Sequence, residues 1–142
     1  MKQLQIKFLD GLEPSKRDQI FQQTDKATEL VTAWASGFPL FYHRRIYTCC
    51  LHAAASVPFF SVTQIALLAK IYLWIYAIDD MLDKRLASAA TIRIVLEECQ
   101  LLLDGALTAR PRPRPAYVHH CGASLDDIIA EMRFYPVFAN HG

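Results

Sequence analysis

The run from Ile71 to Arg85 most constrains what this chain can be: eight apolar or aromatic residues, Ile71–Ile78, lead directly into Asp79, Asp80 and Asp83. On a helix of about 3.6 residues per turn, Tyr72, Tyr76, Asp79 and Asp83 fall within a narrow arc of one face, with Asp80 beside it. Carboxylates at this spacing repel by roughly 0.2–0.5 kcal/mol per pair, and acids at a helix C-terminus oppose the macrodipole. A solvated helix end, neutralised by Lys84 and Arg85, would make the arrangement harmless. A divalent cation would resolve it. Mg²⁺ takes oxygen ligands, keeps waters and is usually completed by substrate phosphates. The tyrosines below the acids favour the metal, because an aromatic well capped by carboxylates suits an apolar substrate that carries a diphosphate.

The rest of the chain reads as helices separated by proline and glycine, with no alternating strand pattern, which predicts an all-α fold. Pro14-Ser15 opens a first helix, with Asp18 as a capping partner of Ser15 and with Ile20, Ala27, Val31 and Trp34 on one face; Gly37 and Pro39 end it. A second helix is expected from about Leu40 to Ala55, turning Phe41, Ile46, Cys50 and Leu51 inward. It stops before Val57-Pro58 because the residue preceding proline avoids helical angles. Ser61-Val62-Thr63-Gln64 is a capping-box pattern that starts a third helix, reaching about Asp83. A fourth runs from about Ser88 to Asp104, before Gly105. The Arg-Pro alternation of Arg110–Pro115 predicts an extended loop. Ser124, with Asp126 and Asp127 behind it, predicts the N-terminus of a fifth helix, where capping and the dipole account for both acids.

Composition narrows the function classes. The 142 residues make one domain's worth of chain, 53% hydrophobic and 20% charged, so disorder is not expected. A net charge of +1 gives no electrostatic footprint for nucleic acid or an anionic membrane. Phe59–Ile78 is long enough to span a bilayer, but Ser61, Thr63, Gln64 and Lys70 interrupt it, so a buried helix is the better reading. The four cysteines have no framework spacing and the N-terminus lacks the apolar run of a signal peptide, which predicts a reduced, cytoplasmic protein.

Val57-Pro58, the aromatic-rich stretch Leu68–Trp74, and Asp79-Asp80-Met81-Leu82-Asp83 together resemble the bacterial class I terpene synthases, whose DDxxD motif follows an aromatic-rich helix. Trp34 is similar to a tryptophan these enzymes carry upstream, and Leu96–Cys99 to part of their following helix. The resemblance implies an all-α bundle of which residues 1–142 are the N-terminal part. It implies a lyase that ionises farnesyl or geranylgeranyl diphosphate with Mg²⁺. Asp79 would be the principal metal-bridging acid and Asp83 a second ligand or outer acid. Asp80 would be a third acid of the metal motif that pairs with a basic side chain as the site closes. Tyr72 and Tyr76 would line the prenyl pocket. Prenyl diphosphate synthases share DDxxD, but their flanking His or Glu and arginine-rich stretch do not match Ile78, Lys84 and Arg85. The family's second metal motif, N-D-x-x-S-x-x-x-E, does not occur in these residues, which predicts a chain inactive alone, with apolar faces left for self-association. The alternative from another class is a non-catalytic helical interaction protein that uses those faces.

Other clusters carry blander expectations. His119, His120 and Cys121 are adjacent and cannot easily converge on one zinc ion. His43 and His52 read as helix-face residues, Cys49-Cys50 as core packing rather than redox chemistry, and Arg44-Arg45 as surface charge. Arg110, Arg112 and Arg114 read as a solvated loop.

Overall fold

The computed structural model describes residues 9–83, 88–104 and 116–135, without the side chains of Thr91, Cys99, Leu102 and residues 116–119. The protein is all-α. The helices are α1 (Pro14–Ala35), α2 (Ile46–Ser56), α3 (Val62–Asp83), α4 (Ala89–Leu103) and α5 (Ala116–Met132), with a 3₁₀ turn at His43–Arg45 leading into α2. No strand occurs among the described residues. They form two compact units: one holds the described residues up to Gly37 and Tyr42–Leu73, the other Phe38–Phe41 and the described residues from Trp74 onward.

In the first unit α1 packs against α2. The buried stripe of α1 is Ile20, Thr24, Ala27, Val31 and Ala35, spaced by three and four residues. Thr24 is tolerated there because its hydroxyl donates to the Ile20 carbonyl at 2.7 Å, so no polar atom is left dry and unbonded. The facing residues of α2 are mostly small: Ala53, Ala54, Cys49 and Cys50 are buried, which lets backbones approach closely. Trp34, expected on the inner face, is half-buried, and its ring lies 5.3 Å from the Lys70 ammonium.

Two expected starts differ from the structure. The N-cap of α1 is Glu13, which makes no side-chain capping bond, so the Ser15/Asp18 box does not form. Pro14 explains the shift: it suits the first helical position, where its missing N–H costs nothing, and this places Ser15 inside the helix. The second helix begins at Ile46 rather than near Leu40. Tyr42 is extended there, and the guanidinium groups of Arg44 and Arg45 gather over its ring at 5.5 and 5.4 Å. Phe41, Ile46, Cys50 and Leu51 are nevertheless all buried.

The start of α3 follows the sequence. Ser61 Oγ accepts from the Gln64 N–H at 3.2 Å while Gln64 Oε1 accepts from the Ser61 N–H at 3.0 Å, the two reciprocal bonds of a capping box. The turn before it is pinned by Gln23, whose Nε2 donates to the Phe60 carbonyl at 3.2 Å.

In the second unit α4 packs against α5. Met81, Val95, Cys121 and Leu125 form the core, flanked by Leu40, Trp74, Ile78, Ile92 and Ile129. The start of α4 agrees with expectation: the Ser88 carbonyl accepts the Ile92 N–H at 2.9 Å. That of α5 does not. Ser124 is a buried mid-helix residue, and its hydroxyl donates to the His120 carbonyl at 2.6 Å instead of capping. The helix runs through Gly122, itself buried, because packing against α4 outweighs the roughly 1 kcal/mol that glycine costs a helix interior. The Arg110–Pro115 segment, and Lys84 with Arg85, lie outside the described residues.

The capping box carries a measurable share of stability. Ser61→Ala should lower the unfolding free energy by about 1 kcal/mol in urea titration. Ser15→Ala should change it by less than about 0.5 kcal/mol, since Ser15 is not a cap.

Candidate functional site

The aspartate-rich segment is the last turns of α3, and the packing of that helix decides where each acid goes. Ala77 and Met81 are buried, so the side of α3 that carries them faces the core of the second unit. Trp74 holds the same helix in place by donating its Nε1–H to the Cys121 carbonyl of α5 at 3.2 Å. Asp80, one residue from Met81, is only 6% exposed. Asp79 and Asp83 lie on the other side, open to solvent, with Ile75 and Leu82, which are 52% and 45% exposed. Tyr76 is half-buried between the two sides. Tyr72 belongs to the first unit, is also half-buried, and stands edge-on to the His52 ring at 5.0 Å.

The structure therefore brings Asp79 and Asp83 together on one open helix face and turns Asp80 inward. Among the described residues no group of three or more His, Cys, Asp or Glu side chains is gathered to hold a metal ion. The fit to Mg²⁺ rests on the open pair: two hard oxygen donors one turn apart suit an ion that keeps much of its water shell and binds one or two carboxylates.

The remaining candidates take structural places. Cys121 is a core residue, and the His120 ring meets Phe38 edge-on at 6.5 Å; the His119 side chain lies outside the described residues. Asp126 and Asp127 are exposed in the second half of α5, so they do not serve its N-terminus. His43 and Arg44 are exposed and Arg45 half-buried. Among the described residues no helix is long and apolar enough to cross a membrane. The Trp74–Cys121 bond, the Lys70–Trp34 contact and the His52–Tyr72 pair were not legible in the sequence, because each joins residues whose proximity only tertiary packing creates.

Cys49 and Cys50 are buried in the first unit and carry free thiols. Burial pushes the Cys49 thiol up to about 12, with the adjacent Cys50 adding to it, and pushes Cys50 up to about 11. These are inert, protonated thiols.

The chain matches no family model, and no curated protein or solved structure matches it.

The cysteines give a pH dependence of definite sign. A folded chain that keeps protons the unfolded chain has released loses stability as pH rises. Stability should thus be unaffected by these thiols below about pH 9 and fall progressively from there toward 11–12, followed by urea unfolding at several pH values. Replacing both by alanine should flatten the decline.

Proposed function

We propose that the chain carries the aspartate-rich part of a class I terpene synthase site, acting on an allylic prenyl diphosphate such as farnesyl or geranylgeranyl diphosphate. The observation that carries this reading is the pairing of Asp79 and Asp83 on one open face of α3, beside the half-buried ring of Tyr76. Asp79 and Asp83 would hold Mg²⁺, leaving its other positions to water and diphosphate oxygens. When bound, the metal supplies Lewis-acid stabilisation of the departing diphosphate. The contribution of the chain itself is electrostatic and spatial. Its two carboxylates fix where the cation sits, and the π-face of Tyr76 offers an attractive surface to positive charge that develops nearby.

A second reading, a non-catalytic helical interaction protein, is favoured by a different observation. Ile75, Leu82, Ile94, Leu96 and Leu103 of the second unit are large apolar side chains left exposed. Ile75 and Leu82, seven residues apart, share one side of α3, and large apolar side chains left open to water in this way favour association.

Isothermal titration of farnesyl diphosphate into the protein, with and without Mg²⁺, separates the two. The enzyme reading expects binding that requires Mg²⁺ and is weakened at least tenfold, about 1.4 kcal/mol, by Asp79→Asn or Asp83→Asn with the fold retained by circular dichroism. The interaction reading expects concentration-dependent association in sedimentation that neither Mg²⁺ nor these substitutions alter, and that Ile75→Ser with Leu82→Ser abolishes. Metal-independent binding, or none, would remove the diphosphate assignment.

A further inference from the structure

The first unit contains a groove of about 470 Å³, lined by Leu12, Lys16, Gln19, Ile20, Ala55, Pro58 and Phe59. That volume lies within the range of small-molecule sites, roughly 300–1,000 Å³. Its floor is firm, since Ile20 is 2% exposed and belongs to the core. The rim is held as well. The Phe60 N–H donates to the Val57 carbonyl at 3.0 Å, its carbonyl accepts from Gln23, and the Phe59 ring meets that of Phe60 edge-on at 5.1 Å. Phe59 nonetheless stays 80% exposed, a large aromatic surface standing over the groove.

We propose that this groove binds a linear alkyl carboxylate, a fatty-acid-type ligand, with its chain along Leu12, Ile20, Ala55, Pro58 and Phe59 and its carboxylate at Lys16 and Gln19. The charge count selects the head group. Among the described residues of the lining Lys16 is the single charged one, which matches a monoanion better than a diphosphate. The next cation along α1, Arg17, directs Nη2 to the Leu12 carbonyl at 3.4 Å. The Gln19 amide, one turn from Lys16 on the same face of α1, adds a neutral donor. Glu13 and Asp18 are exposed on the same segment but do not line the groove. None of the α3 aspartates lines the groove, and the proposed binding requires no metal.

The test is titration of the whole chain with decanoate and with decanol, below their micelle or solubility limits, followed by calorimetry. Saturable binding of both is expected, with decanoate roughly fivefold tighter, the upper range for an exposed ion pair. Lys16→Glu should erase that preference while decanol still binds. Phe59→Ala, at a position too exposed to threaten folding, should weaken both ligands. EDTA and Asp79→Asn should change neither affinity, which keeps this result distinct from the Mg²⁺-diphosphate reading. No saturable decanoate binding to the folded chain, or a preference for decanoate that survives Lys16→Glu, would overturn the proposal.

Discussion

The rotational phase of α3 about its own axis is the constraint on which the candidate site depends. Burying a side chain the size of leucine or methionine contributes about 1.5–3 kcal/mol, and α3 buries Ile65, Leu67 and Leu73 in the first unit and Met81 in the second. Repulsion between two carboxylates one turn apart costs less than about 0.5 kcal/mol when they face water. The apolar contacts therefore set the phase, and the aspartates take whatever orientation remains. Asp79 and Asp83 are carried outward, while Asp80 is drawn to the buried side beside Met81. The acids divide two and one because helical neighbours differ by about 100°.

Both units solve the same problem of polar atoms inside helix interfaces in the same way. Thr24 in α1 and Ser124 in α5 are fully buried, and each returns its hydroxyl hydrogen to a backbone carbonyl four residues back. A buried hydroxyl without a partner costs about 1–3 kcal/mol, so this local bond lets a small polar residue occupy an interface that needs small volume. The trade is good only because the partner is supplied by the same helix. It is also why Ser124 could be mistaken for a helix cap: the same hydroxyl chemistry serves an N-terminus and a buried turn.

Much of the helical order was legible in the sequence, because its signals are local. The Ser61/Gln64 box, the stop before Val57-Pro58 and the start at Ser88 each depend on residues within a few positions, and each stands where expected. The errors came where one signal lost to another. Pro14 prevailed over Ser15 for the start of α1, and packing prevailed over the capping signal of Ser124 for the course of α5. At the site, the shared arc of Tyr76, Asp79 and Asp83 was readable from periodicity alone, whereas the burial of Asp80 was not.

By itself the sequence determined the class of the fold and the helical address of every acid in the DDxxD segment, since periodicity and capping act over one or two turns. Only the tertiary structure decided which of those acids meets water, because that depends on which side of α3 finds apolar partners, and those partners lie far away in the chain. Trp74 and Cys121, 47 positions apart in the chain, are joined by a hydrogen bond that no local pattern announces. The groove over Ile20 has the same origin: Lys16, Ala55 and Phe59 become neighbours only when α1, α2 and the turn at Val57–Phe60 come together, because a concave surface is a property of packed elements rather than of any one of them.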